Sequence, residues 1–324
     1  MSDTDQLANG VLEGDRRALA RLITRIESTR TDHRSEASEA IARLLPEAGK
    51  SIRIGISGVP GVGKSSFIET FGLHVVEQGH KVAVLAVDPS SPKHGGSILG
   101  DKTRMEKLAR HPDAYVRPSP SGGSVGGVAR RTRETIMAVE AAGFDVVLVE
   151  TVGVGQSEYA VADLVDMFVL LVAPGGGDDL QGIKKGIVEM ADLLVVTKND
   201  GDLQKAANRA YQDYWSALRM LGGGNAVWKP EVMRCSAHTG NGIPEVWEKI
   251  ETYRDAMTEA GLIDERRAEQ AASWMWEEVT STLLAAVRKK GSLGQEMEED
   301  VRSGKRTAAD AAAEILKQFD LKDL

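Results

Sequence analysis

The stretch Gly55–Gly72, GISGVPGVGKSSFIETFG, constrains this chain more than any other. An apolar, β-branched run stops, small residues follow, and an amphipathic helical pattern begins. Within it Gly58, Val59, Pro60, Gly61, Val62, Gly63, Lys64 and Ser65 fit G-x-x-x-x-G-K-[ST], with Ser66 directly behind. The glycines let the backbone turn and approach, so that successive N–H groups point into one concavity. The positive end of the following helix adds to the attraction for anions. Lys64 is expected to reach the β- and γ-phosphates of a nucleotide, and the Ser65 hydroxyl to ligate Mg²⁺. The competing reading is an accidental glycine turn, but a strand before and a helix after are the context a phosphate loop needs.

The strand–loop–helix unit recurs. SIRIGISG, KVAVLAVD, DVVLVET, MFVLLVAP, LLVVTKND and EVMRCSA are short β-branched runs. Most lack polar alternation, as expected of strands covered on both faces. Helical patterns such as KSSFIETFGLHVVEQG and ARRTRETIMAVEAAG lie between them. This alternation predicts an α/β fold with a doubly wound, mostly parallel sheet, whose ligands sit at the carboxyl ends of the strands.

The α/β pattern occupies residues 48–261. Before it, residues 1–47 read as a helical extension: Leu19, Leu22, Ile23 and Ile26 recur on one face, Asp15 can cap its helix, and EASEAIARLL forms another. After it, residues 262–324 read as a long helix (DERRAEQAASWMWEEVTSTLLAAVRKKG), a linker (GSLGQEMEEDVRSGK) and a last helix (TAADAAAEILKQF). A long terminal helix pair of this kind can dock on a second copy or pack back on its own domain; we expect a dimerisation arm.

Composition narrows the partners. With 324 residues and 42% hydrophobic content the chain can bury a full core. A net charge of −8 argues against non-specific nucleic-acid binding and against an anionic membrane surface. The single cysteine, Cys235, forms no intrachain disulfide and fits a reducing compartment. The first residues lack a signal-type apolar run, and no apolar run is long enough to span a bilayer. We expect a cytoplasmic protein.

Thr197-Lys198-Asn199-Asp200 closes one strand and resembles the N/T-K-x-D element of GTPases. Asp200 would accept hydrogen bonds from the ring N–H and exocyclic amine of guanine, donors that adenine cannot offer together. The stem of Lys198 would lie along the base. Ser236-Ala237, after another strand, resembles the loop whose backbone N–H meets the guanine carbonyl oxygen. In register with the phosphate loop, these favour GTP over ATP.

Glu150-Thr151-Val152-Gly153 stands where common GTPases carry D-x-x-G. Glu150 would still deliver a carboxylate to a hard cation, and the Gly153 N–H would sense the γ-phosphate. Asp88, at the end of the strand after the phosphate-loop helix, is a further metal candidate. Asp101, in a glycine-rich first switch spanning Gly95–Met105, would ligate the metal or orient the attacking water; its competing role is a helix cap. The residue after Gly153 is Val154, not the glutamine that orients water in many GTPases. Slow intrinsic hydrolysis, accelerated by a partner, follows.

Taken together, GVPGVGKSSFIE, VLAVDPSSP, GGSILGDKTRM, YVRPSPSGGSVGG, ETVGVGQSE and TKND closely resemble the MeaB/ArgK family of P-loop GTPases of the SIMIBI class, over nearly the whole chain. The resemblance implies homodimers that bind adenosylcobalamin-dependent methylmalonyl-CoA mutase, gate its cofactor loading and protect it from inactivation through the GTP/GDP cycle, with hydrolysis stimulated by the mutase. It also implies a third switch in APGGGDDLQGIKKGI, where Asp178, Gln181 and Lys184 would couple nucleotide to mutase; the alternative is an ordinary βα loop.

Three other readings compete. A metallochaperone GTPase would need clustered soft ligands, and here His33, His74, His80, His94, His111 and His238 are scattered and Cys235 is alone. A nucleotide-dependent kinase of an amino-acid-binding protein would need a transfer loop that nothing resembles. A scaffold that binds nucleotide without using it conflicts with Lys64, Ser65, Glu150 and Asp101 all being in place. The aromatics Trp247, Tyr253, Trp274 and Trp276 are expected in packing or a dimer contact, and no directly bound cobalamin is expected. The role of Arg104 is left open.

Overall fold

Strands that are apolar on both faces need cover on both sides, and the chain supplies it with alternating helices. The computed structural model describes residues 2–87, 105–117, 125–151, 157–175, 185–221, 224–289 and 292–317. Three helices come first: α1 (Asp3–Leu12), α2 (Arg16–Glu27) and α3 (Thr31–Leu44). Asp15 caps α2 by accepting from the Arg17 N–H, and Leu19, Leu22, Ile23 and Ile26 are buried on its inner face, as the spacing predicts.

The α/β region follows as β1 (Ile52–Gly58), α4 (Lys64–Glu77), β2 (Val82–Val87), α5 (Glu106–Arg110), β3 (Ala114–Arg117), α6 (Val125–Ala141), β4 (Val146–Thr151), α7 (Ser157–Ala162), β5 (Met167–Val172), α8 (Lys185–Met190), β6 (Leu193–Val196), α9 (Gln204–Leu221), β7 (Glu231–Arg234) and α10 (Ile243–Glu259). The seven strands form one sheet, ordered β3-β2-β4-β1-β5-β6-β7, with every pairing parallel. Six of these strands are legible as β-branched runs. The seventh, β3, is a four-residue edge strand, too short to stand out in the sequence.

On one face, Ile52, Ile54 and Ile56 of β1 meet Phe67 and Phe71 of α4 and Trp247 and Tyr253 of α10 in a single core. Phe71 and Trp247 meet edge to face at 5.9 Å, and Trp228 meets Tyr253 at 5.0 Å. The other face carries α6 and α7. Gly55 must be small there, since a Cβ would lie 3.0 Å from both Val161 and Val165. The α1–α3 bundle packs against the outer side of α6.

At the amino ends of the strands a buried ionic network anchors the root of α11 (Leu262–Lys289). Arg267 Nε and Nη2 grip the two oxygens of Asp166 at 2.7 and 2.6 Å, and Nη2 also donates to the Ser51 carbonyl at 2.6 Å. Asp166 Oδ2 accepts from the Arg53 N–H at 2.8 Å. The Arg53 guanidinium in turn donates to both oxygens of Glu140, at 2.8 and 2.9 Å, and Ser51 Oγ donates to Glu140 at 2.6 Å. Burial pushes the Glu140 carboxyl up, but Arg53, Ser51 and the Gly49 N–H outweigh it and hold it below its ordinary value.

Contacts divide the chain into two compact units, Met1–Gln270 and Ala271–Leu324. The second contains the rest of α11, then α12 (Ser292–Arg302) and α13 (Ala308–Lys317), which pack together around Met297 and Ala311. α12 lies in the stretch expected to be a linker. Its apolar positions, Leu293, Met297 and Val301, recur every four residues, and the glycines flanking and within it hide that period. Trp247 and Tyr253 belong to the core, whereas Trp276 is 65% exposed. No helix among the described residues is long and apolar enough to cross a membrane.

Candidate functional site

Parallel pairing brings the carboxyl ends of the central strands to one edge. The register sets Ile56 beside Glu150, Gly58 beside Leu171, Val172 beside Val196 and Val196 beside Arg234. The loops leaving β1, β6 and β7 therefore open on the same side, where β4 also ends at Thr151, the side on which open α/β sheets hold ligands.

The loop after β1 wraps from Gly58 to Gly63. A Cβ on Gly58 would fall 2.5 Å from the Leu171 carbonyl oxygen, so no other residue fits against β5. Gly61 and Gly63 take left-handed backbone, φ +81° and +100°, and Gly63 occupies the cap of α4. The Val62 side chain is buried and its N–H donates to the Val59 carbonyl at 3.2 Å, closing the turn, while Pro60 and Ser66 stay exposed. Lys64 Nζ donates to the Gly58 carbonyl at 2.8 Å, which folds the ammonium back over the loop. Ser65 stands half-buried on the first turn of α4.

The loop after β6 is fastened directly to the phosphate loop. Thr197 Oγ1 donates to the Val62 carbonyl at 2.7 Å and lies 3.3 Å from that of Val172. Lys198 takes left-handed backbone, φ +54°, and its Nζ donates to the Gly61 carbonyl at 2.7 Å. Its stem crosses the loop, with Cε 3.9 Å from where a Gly63 Cβ would stand. The Asn199 N–H donates to the Cys235 carbonyl at 3.0 Å, tying the loop to the end of β7.

The loop after β7 completes the edge. The buried Ser236 hydroxyl donates to Asp200 Oδ2, and Ser236 Oγ itself accepts from the Thr239 N–H at 3.1 Å. Ser236 thus orients the one carboxylate that would read guanine. Thr70 of α4 donates to the Ala237 carbonyl at 2.9 Å, so the helix that begins in the phosphate loop also steadies this loop. Burial pushes the Cys235 thiol up to about 12, which leaves it a neutral packing group rather than a nucleophile or thiolate ligand.

Glu150 is 3% exposed near the end of β4, beside Ile56. Its neighbour Thr151 donates to Ser57 Oγ at 3.0 Å, a buried link between β4 and β1 just before the phosphate loop. Ser65 and Glu150 offer only hydroxyl and carboxylate oxygens, the donor chemistry that a small hard dication takes. Asp88, Asp101, Gly153, Asp178, Gln181 and Lys184 lie outside the described residues. Among the described residues no group of three or more His, Cys, Asp and Glu side chains is placed to hold a metal by itself.

Four hydroxyls, on Ser57, Thr70, Thr151 and Thr197, turn out to hold these loops together. Only Thr197 had a sequence signal as part of a base-reading loop, being the first residue of T-K-x-D. The others lie in strands or helices, where nothing local marks a threonine or serine as a brace.

The comparisons agree with this geometry. A model of the family described as methylmalonyl Co-A mutase-associated GTPase MeaB matches residues 19–292. A protein of Mycobacterium tuberculosis described as "Probable GTPase" is 52% identical over 322 residues, covering 98% of this chain and 96% of that protein. The mouse mitochondrial protein named methylmalonic aciduria type A homolog is 48% identical over 328 residues, covering 97% of this chain and 79% of that protein. A solved structure described as an LAO/AO transport system kinase superposes with a TM-score of 0.78 at 33% identity, covering 98% of this chain and 99% of that one.

Proposed function

The chain belongs to the MeaB family of methylmalonyl-CoA mutase-associated GTPases, and on that premise we propose that its GTP cycle chaperones an adenosylcobalamin-dependent methylmalonyl-CoA mutase, gating cofactor loading and protecting the mutase from inactivation. The chain is a GTPase with a P-loop fold. The observation that carries the site reading is the fastening of the T-K-x-D loop onto the phosphate loop by Thr197 and Lys198, beside an Asp200 held by Ser236. One rigid edge then grips both ends of a guanine nucleotide.

In this reading the amides of Gly58–Ser65 and the Lys64 ammonium hold the β- and γ-phosphates, and Asp200, the Lys198 stem and the Ser236-Ala237 loop select guanine. Asn199 keeps the loop in place through its backbone. Ser65 and Glu150 would hold Mg²⁺, with Asp88 and Asp101 as further candidates; when bound, the ion neutralises charge on the β- and γ-oxygens. Asp101 orients the attacking water, and the Gly153 N–H reports the γ-phosphate. Because Val154 stands where a water-orienting glutamine would, hydrolysis is slow until the partner acts. Asp178, Gln181 and Lys184 pass the nucleotide state to the mutase. The protein works as a homodimer through residues 262–324, in the cytoplasm, with residues 48–261 as the GTPase domain and 1–47 as a helical brace.

The test is GTP hydrolysis by the full chain alone, with apo-mutase and with holo-mutase. Stimulation by at least about tenfold, lost in Lys64→Ala, is expected. Equal rates in all three mixtures would refute the chaperone cycle. A second reading takes its support from the 33% identical structure, whose name is that of a kinase. Transfer of labelled γ-phosphate to a protein hydroxyl, in place of release as inorganic phosphate, would favour it.

A further inference from the structure

The outer flank of the sheet, away from the nucleotide edge, carries a cleft of about 300 Å³ between α9 and the edge strand β7. Its apolar floor is Leu218 and Val232, both less than a tenth exposed. Its walls are aromatic and cationic. The Arg219 guanidinium lies 4.6 Å over the Trp215 ring, and Tyr211, which also lines the cleft, is itself stacked at 4.4 Å by Arg234, a residue outside the lining that donates to Asn208. Lys229 completes the rim. The cleft's one acid, Glu231, is already paired with Lys249 at 3.1 Å. Among the described residues, Arg219 and Lys229 have no acidic partner. On a chain of net charge −8, this is a locally positive hollow.

We propose that this cleft docks an acidic segment of a partner protein, with a carboxylate held by Arg219 and Lys229 and an adjacent apolar side chain seated on Leu218 and Val232. Three observations favour that occupant. Trp215 is 42% exposed, and a cluster of Trp, Tyr and Arg around an apolar floor is the composition of a binding hot spot rather than of ordinary surface. Stacking on Trp215 holds the Arg219 guanidinium in place before the partner arrives, which lowers the entropy cost of binding it. The volume suits one or two side chains and lies at the bottom of the range for small-molecule pockets.

Recognition here runs through side chains rather than strand addition. β7 has four residues and is preceded by Lys229-Pro230, both features that blunt an edge against pairing. Glu231, at the cleft, pairs with Leu193 at the start of β6, whereas the Ser236-Ala237 loop follows the other end of β7. The docked segment therefore leaves the nucleotide loops clear. This inference does not rest on the mutase reading, and either can fail without the other.

The experiment uses the full chain and fluorescein-labelled ten-residue peptides carrying four Glu or Asp and two Leu or Phe, against matched peptides with Lys in place of the acids. Anisotropy at low salt should show binding of the acidic set alone. Arg219→Glu and Trp215→Ala should each weaken it by about tenfold or more, and raised salt should weaken it as well. GTP turnover should be unchanged in both variants, which verifies their fold. The proposal is overturned by no acidic-peptide binding at millimolar peptide, by binding that survives both variants, or by equal binding of the Lys peptides. It is also overturned if inorganic phosphate or ATP displaces the peptide at micromolar concentration, which would make the cleft a small-anion site. A shift in sedimentation caused by either variant would make it a self-association face and overturn it too.

Discussion

Thr197 shows how one hydroxyl can tie two loops of the proposed nucleotide site together. It donates to the Val62 carbonyl and lies beside that of Val172, so it joins the loop after β1, β5 and the T-K-x-D loop at one buried point. Thr197→Val keeps the shape and removes the donor. A buried acceptor left unsatisfied costs ~1–3 kcal/mol, and that cost falls on the folded chain with or without ligand, so chemical denaturation should register a stability loss of that size, while GTP affinity by calorimetry should fall as the T-K-x-D loop loses its tie to Val62. Asp200→Asn tests the base. The amide would offer a donor toward the carbonyl that xanthine carries where guanine has an amine. GTP should lose at least about a hundredfold in affinity relative to the wild type, in line with the cost of leaving a polar site unpaired, and xanthosine triphosphate should gain. Retained GTP preference would mean that another group reads the base.

At the scale of elements, the buried network joining β1, β5, α6 and the root of α11 holds the end of the sheet opposite the loop after β1. Its acids belong to loops and helix ends far apart in sequence: Glu140 in α6, Asp166 before β5. Glu140→Ala leaves the Arg53 guanidinium, 8% exposed, without its carboxylate. Removing one partner of a buried pair costs ~3–5 kcal/mol, a loss that chemical denaturation would register directly. The pH dependence has a definite sign. Glu140 titrates below its ordinary 4.5 in the folded chain, so its stabilisation is fully present above 4.5 and is lost as pH falls through the lower folded-state value. Glu140→Gln should flatten the fall of stability with acid in that window; an unaltered slope would assign the acid sensitivity to other carboxylates.

At the scale of the molecule, the second unit, Ala271–Leu324, leaves Met275, Trp276, Val279, Leu283 and Leu284 of α11 40–65% exposed. Trp276, Val279 and Leu283 recur at spacings of three and four, an apolar stripe that suits a partner helix. For the proposed homodimer, Trp276→Glu combined with Leu283→Glu should halve the sedimenting mass while leaving GTP affinity intact. An unchanged mass would move the dimer contact elsewhere or remove it.

How much of this could be read from the chain alone follows from the range of the interactions. The phosphate-loop turn and the T-K-N-D turn were legible, because each needs fixed residue types at a fixed short spacing to bend backbone; the last residue of the E-x-x-G variant, Gly153, lies outside the described residues. The doubly wound class was legible too, since covered strands must be apolar throughout and the central ones are. β3 and α12 were not, because a four-residue edge and a glycine-interrupted helix depend on neighbours rather than on local pattern. The sequence alone thus determined the nucleotide chemistry and the layered architecture, both properties of residues close together in the chain. Only the tertiary structure decided that Thr197 clamps Val62, that Thr70 holds Ala237 and that Arg267 closes on Asp166. Those contacts join residues 135, 167 and 101 positions apart, and nothing short of folding brings them within hydrogen-bonding or Coulombic reach. Arg219 and Lys229 are nearer in sequence, but they share a hollow only because α9 folds back along β7.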